Sequence, residues 1–382
     1  MSAPALTLRG GRVLWPDGIG PGDLSLSGGM ITEDPQARVV DLSGFLILPG
    51  LIDAHGDGFE RHLAPRRGAM TDLGRGLVAT EAELAANGIT TATLAQFYSW
   101  EGGLRGPDFA GRMLTALAGM QADVATDLRA QLRAEVAMID AYPAMEEMIA
   151  RFGVDYVVFN DHLPHDALAQ GKRPQRLTGQ ALRIGRNPET HLAIMQALHD
   201  RMSEVDAGLD ALAARLITAG VRLGSHDDRA VEVRLRHRAR GARIAEFPET
   251  LEAAEAARAG GDAVIMGAPN VMRGGSHNGN AGAADMVGAG CVDALASDYH
   301  YPSLAGAAFH LCDAGICGLA TAWRLMSSGP ARILGLADRG TLRPGLRADL
   351  TVIDPATRRV GATIAGGRIS YMTGAAAARF TG

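Results

Sequence analysis

Eight short apolar runs along the middle of the chain constrain this sequence more than any other feature. They span 46–53, 89–94, 132–138, 156–160, 221–225, 243–247, 263–267 and 294–297, and most are followed by an Ala-, Leu- or Arg-rich stretch with helical spacing. A brief continuous apolar run suits a strand buried on both faces, and strands that alternate with helices pair in parallel. Eight such units fit a closed barrel. The interval from 160 to 221 is too long for one connection, so it holds an insertion, whose Arg/Pro/Gly-rich start at 170–186 reads as a loop or lid.

Both ends of the chain differ from this middle. Residues 1–46 and 339–382 carry short strand-like pieces separated by Gly, Pro and Asp turn signals. The expected fold is α/β: a (β/α)₈ TIM barrel over 49–336, with a small β-sandwich formed jointly by 1–48 and 337–382. Composition narrows the function. A formal net charge of −5 over 382 residues lacks the basic footprint of a nucleic-acid binder. The cysteines are Cys291, Cys312 and Cys317, too few and odd in number for a disulfide framework. No apolar run approaches the roughly 20 residues of a membrane span, and the opening residues MSAPALTLRGGRVLW lack a secretory pattern. Cytoplasm is the expected location, with no membrane partner.

The polar residues at the predicted strand ends carry the chemistry. The first run leads into His55-Gly56-Asp57. Alternate residues of a strand point the same way, so both side chains can face the barrel mouth, where barrel active sites sit. An imidazole and a carboxylate at that spacing can share one divalent cation. Other runs end similarly, at His162, at His226 and at Asp298, and Glu135 lies inside the 132–138 run. Each alone reads as a hydrogen-bonded structural residue. Together they form a carboxylate-rich cluster that is costly to bury without a compensating cation.

The chain has a single lysine, Lys172, in the presumed loop. A bridging carboxylated lysine rising from a strand is therefore not expected, and a carboxylate, Glu135, is the preferred bridge between two ions. A second signal is the glycine-rich stretch 267–280. There Arg273, Ser276, His277 and Asn280 offer donors suited to phosphate oxygens. Its spacing is neither a Walker loop nor a dinucleotide fingerprint.

These residues resemble the amidohydrolase superfamily, through LPGLIDAHGD, the two-ended sandwich and the tail RGTLRPGLRADLTVID. More specifically the chain is similar to the PhnM family, the α-D-ribose 1-methylphosphonate 5-triphosphate diphosphatases of phosphonate metabolism. That likeness rests on His55 and Asp57 as H-x-D, on ERHLAPR from Glu60, NGITT from Asn87, SHDD from Ser225, RIAEFPET from Arg243, MGAPNVMRGGSHNGN from Met266, and Ser297-Asp298-Tyr299. The resemblance implies a barrel of amidohydrolase type and a binuclear divalent metal site, Zn or Mn/Fe. It implies His55, Asp57, His162, His226 and Asp298 as ligands with Glu135 bridging, and Asp298 as the catalytic residue that orients or deprotonates water. It further implies that His62, Arg66, Arg273, Ser276, His277 and Asn280 contact a small phosphorylated substrate. A metal-activated water would attack the α-phosphorus and release diphosphate, the carbon–phosphorus lyase pathway being the setting. A homodimer is the default assembly. The chain departs from the family pattern at 163–167 and at His300-Tyr301-Pro302, both where substrate is read. Alternative readings are a C–N hydrolase acting on a cyclic amide or N-acyl compound, action on another phosphorylated substrate, and a non-catalytic binding barrel.

Overall fold

The computed structural model describes residues 3–66, 72–274 and 282–382. Eight parallel strands lie in one sheet: Leu51–Gly56, Ile89–Tyr98, Asp127–Glu135, Tyr156–Asn160, Arg222–His226, Ile244–Glu246, Ala263–Gly267 and Ala294–Ala296, each paired with its sequence neighbour. A parallel bridge between Gly56 and Asp298 joins the first strand to the end of the last and closes the barrel. All ten residues of Ile89–Tyr98 are buried, as expected for a strand covered on both faces.

The two chain ends build two further sheets. One holds Met30–Thr32, Leu24–Ser27, Leu6–Arg9 and Val39–Asp41; the other holds Arg368–Met372, Arg359–Ala365, Leu350–Asp354, Leu46–Pro49, Arg12–Trp15 and Gly18–Pro21. Their shared core includes Leu6, Leu26, Ile47, Val352 and Ile364. This is the barrel-plus-sandwich architecture expected from the sequence.

The structure corrects three details. The 46–53 run is two strands: Leu46–Pro49 pairs in the sandwich with Leu350–Asp354, and Leu51–Gly56 enters the barrel. The break falls at Gly50, where a Cβ would stand 2.3 Å from Thr90 Oγ1, and the Pro49 carbonyl accepts the indole N–H of buried Trp323 at 2.8 Å. The third barrel strand starts at Asp127, five residues before the apolar run, and ends at Glu135. The insertion is largely helical: His165–Ala169, Leu177–Arg183, Pro188–Asp200 and Met202–Thr218. Its apolar residues Leu168, Leu177 and Met195 pack with Trp100, Ala137 and Leu163. Asn187 caps the third of these helices, accepting from Glu189 N at 2.8 Å ahead of Pro188 at its start.

Candidate metal centre

His55 comes from the first barrel strand and is fully buried. Its Nδ1 lies 2.8 Å from Glu246 Oε2. Glu246 ends the sixth strand, directly opposite His226 in the register of the fifth. The other carboxylate oxygen of Glu246 accepts from Gln131 Nε2 and from the Tyr156 hydroxyl, each at 2.6 Å. Contact with His55 holds the Glu246 carboxyl below its usual range in spite of complete burial. Asp57 follows the first strand. Its backbone N–H donates to Asp298 O at 2.8 Å, and Asp298 N–H donates to His55 O at 3.0 Å. The closure of the barrel thus brings the H-x-D pair and Asp298 together.

The third strand supplies a ladder of polar side chains on its inner face. Gln131, Arg133 and Glu135 alternate with Leu132 and Ala134, the period that points side chains one way. Gln131 reaches Glu246, as above. Arg133 is 4% exposed; its Nη2 donates to His226 Nε2 at 3.0 Å, and its Nη1 lies 3.6 Å from Asp57 Oδ2. Glu135 accepts from the backbone N–H of His162 at 3.2 Å and faces its Nδ1. Phe97 holds two guanidiniums against its ring, Arg133 at 3.9 Å and Arg105 at 4.1 Å. His226 turns its second nitrogen, Nδ1, towards Asp227 Oδ2 at 3.1 Å.

Burial and neighbouring charge tune these groups. Burial, reinforced by the charge of Asp57, pushes the Asp298 carboxyl up to about 6. Burial, with Arg133 alongside, pushes His226 down to about 4, so its imidazole is neutral. Burial alone would raise Asp227, but His226 and Arg133 pull it down to about 2. Glu60, beside Asp57 on the way in, is pushed up to about 7 by desolvation. The backbone is also strained here. Four non-glycine residues among those described have a left-handed φ, and three of them, Asp227, Phe247 and Asp298, immediately follow His226, Glu246 and Ser297 at the mouth.

The donor set fits a divalent cation. The buried Nε2 of His55 has no hydrogen-bond partner among the described residues, and carboxylates at this density need compensation. Ligand-type atoms of His55, His226 and Glu246 all lie within 4.8 Å of one another, as do those of Glu101, Glu135 and His162.

The remaining residues singled out by sequence fall around this centre. His62 is tied to Glu83 on the neighbouring helix Leu73–Ala86 rather than to the imidazole cluster. Arg66 lines a cavity of about 690 Å³ with Glu60, Glu101, Arg105, Arg112 and Arg183, which adjoins the mouth. A second cavity, of about 420 Å³, is lined by His162, His226 and Asp227 together with Arg229, Arg236 and Arg240. Arg273 donates to the Tyr299 hydroxyl, next to Asp298. Ser276, His277 and Asn280 lie outside the described residues. Sequence reasoning missed Glu246 and Arg133, although a carboxylate between Ala245 and Phe247, and the Gln-x-Arg-x-Glu alternation, were both signals of polar groups facing into a barrel.

Barrel, sandwich and strand-end cluster together define a metal-dependent hydrolase scaffold. The profile of the amidohydrolase family matches residues 195–371. A curated relative, α-D-ribose 1-methylphosphonate 5-triphosphate diphosphatase of Escherichia coli (strain K12), is 32% identical over 348 residues, covering 87% of this chain and 90% of its own. Dihydroorotase of Geobacter sp. (strain M21) is 41% identical over only 96 residues, 20% of this chain and 21% of its own. The solved structure of molinate hydrolase superposes with a TM-score of 0.64 at 15% identity, covering 97% of this chain and 95% of that one; at that identity it speaks for the fold alone. The chain belongs to the amidohydrolase superfamily and, within it, to the PhnM family. No described helix is long and apolar enough to cross a membrane.

Proposed function

We propose that this chain is a divalent-metal-dependent phosphoanhydride hydrolase, cleaving α-D-ribose 1-methylphosphonate 5-triphosphate to the 5-phosphate and diphosphate. The observation that carries the reading is the 32% identity across 87% of the chain to a relative of that activity. The geometry supports it independently. Arg133 sits inside the mouth, Arg105 and Arg66 line the adjoining cavity, and Arg273 donates to the hydroxyl of Tyr299, the residue after Asp298. A triphosphate offers acceptors for all of them; a cyclic amide offers few.

His55, Asp57 and Asp298 would hold the cation, which when bound lowers the pKa of water towards neutrality and polarises a phosphoryl oxygen. The chain's own contribution is positioning and charge, which phosphoryl transfer chiefly demands. Asp298 is the carboxylate placed to take the water's proton. Glu246 orients His55 by facing Nδ1, which leaves Nε2 as the free ligand atom. Phe97 holds Arg133 and Arg105 flat at the edge of the centre, where they meet the anionic chain of the substrate.

The segment shared with dihydroorotase favours one second reading, opening of a cyclic amide. Metal-loaded protein incubated with the ribosyl 5-triphosphate, and in parallel with dihydroorotate, distinguishes the two. Diphosphate release is expected. Turnover of dihydroorotate without diphosphate release would sink the first reading.

A further inference from the structure

The side chain that a second ion would meet at His226 is already in contact with a protein cation. Arg133 has only donors, so its 3.0 Å contact makes His226 Nε2 the acceptor. The proton of His226 then sits on Nδ1, facing Asp227. A lone pair given to the guanidinium is not available to a metal. Glu246, the partner of His226 across the register, spends one oxygen on Gln131 and Tyr156 and turns the other to His55. In the neighbouring group Glu135 faces the backbone N–H and Nδ1 of His162, contacts that do not involve Nε2, and both oxygens of Glu101 accept from Arg105 at 3.1 Å. Among the described residues the buried His55 Nε2 has no hydrogen-bond partner, and His55 lies within electrostatic reach of Asp298, itself beside Asp57.

We propose that the Arg133 guanidinium is a built-in cation standing where a second metal ion would meet His226, so that the centre holds one divalent ion per chain, on the His55–Asp57–Asp298 side. The placement is constructed. The guanidinium is held from below by the Phe97 ring at 3.9 Å, from one side by His226 and from the other by Asp57 at 3.6 Å. A fixed guanidinium supplies positive charge and two forked donors for phosphoryl oxygens, as a second ion would, without needing to be loaded. The inference rests on the metal-dependent reading above, but it is tested by counting ions rather than by turnover.

The test uses the full chain, stripped with chelator, reloaded with Mn²⁺ or Zn²⁺, desalted and counted by elemental mass spectrometry. Wild type is expected to carry one ion per chain; two ions per chain overturn the proposal even if diphosphate is still released. No ion at all would sink the metal-dependent reading itself. Arg133→Ala is expected to raise the count towards two. Arg133→Met, which keeps a long stem against Phe97, serves the same purpose with less risk to folding, and a count that stays at one in a folded variant overturns the role given to the guanidinium. His226→Gln is expected to leave the single ion in place; its loss would return His226 to the ligand set and overturn the assignment.

Discussion

Arg234 and Arg133 are both buried, 0% and 4% exposed, and both hydrogen-bond to neighbouring residues of the fifth barrel strand. Ser225 and His226 point to opposite sides of that strand, so one arginine lies outside the barrel wall and the other inside it. Outside, Arg234 donates to Ser225 Oγ at 2.6 Å, Asp228 at 3.0 Å, the Ile244 carbonyl at 3.4 Å and the Ala242 carbonyl, with Asp262 3.6 Å from its Nε. Inside, Arg133 has one imidazole nitrogen, one carboxylate at 3.6 Å and an aromatic face. The outer guanidinium gives both its Nη groups to protein acceptors and fixes the turn after His226, with only its buried Nε lacking a hydrogen bond. The inner one keeps donors in hand. The difference teaches that burial of a charge does not by itself mark a functional group; what marks it is a guanidinium on the inner side of the wall, among the strand-end His and Asp side chains.

Four outcomes would break or sharpen that contrast. Arg234→Met strands Asp228 and Asp262, both buried, and is expected to cost about 3–5 kcal/mol of stability in urea unfolding; a loss below about 1 kcal/mol would mean that the outer network is dispensable. Arg133→Met is expected to leave the unfolding midpoint far less changed but to lower kcat/KM for the triphosphate about 10²–10³-fold, equivalent to roughly 2.7–4 kcal/mol of barrier. The reverse pattern, stability lost and activity kept, would erase the distinction between the two arginines. Tyr156→Phe removes one of two donors to the buried Glu246 oxygen and is expected to cost about 1.5–3 kcal/mol, with the Mn²⁺ affinity falling alongside if Glu246 orients His55. The smallest effect belongs to a group outside both networks. The side-chain contact with Asp161 raises His165 above its usual range. A raised histidine stabilises the fold when protonated, so its contribution is complete below the unfolded value near 6.5 and disappears as pH rises through the higher folded value. Because the pair is about a third exposed, screening keeps the effect to a fraction of about 1 kcal/mol. Comparing wild type with His165→Asn between pH 5.5 and 8 would reveal it.

The same contrast shows what a sequence discloses. Strand ends were readable because apolar runs stop abruptly at His55, His226 and Asp298, and those residues do gather at one end of the barrel. The H-x-D spacing is read from strand pleat; in the structure the strand ends at Gly56 and Asp57 follows it, its backbone N–H on Asp298 O. Arg133 was not readable for two reasons. The apolar run that was used to place the third strand begins at Leu132, so the alternation from Gln131 to Glu135 was cut in two. Moreover its partner His226 is 93 residues away, and only barrel curvature brings them together. Glu246 was hidden differently: it stands in a three-residue strand, too short for any periodicity to single out one polar position. The start of the insertion, 170–186, reads as a loop although it holds the helix Leu177–Arg183, because Arg, Pro and Gly there outweigh the sparse apolar positions that Leu177 and Ala181 bury.

The left-handed residues Asp227, Phe247 and Asp298 have a consequence for anyone trying to improve this protein. Non-glycine residues hold that conformation at a cost of order 1 kcal/mol or more each, and glycine or asparagine would hold it at less. A selection for heat resistance will therefore be drawn repeatedly to these three positions. Each gain made there will loosen the turn that aims His226, Glu246 or Asp298, so robustness and reactivity pull against each other at three known sites. Libraries that leave 227, 247 and 298 untouched and search the sandwich and the outer helices avoid that conflict.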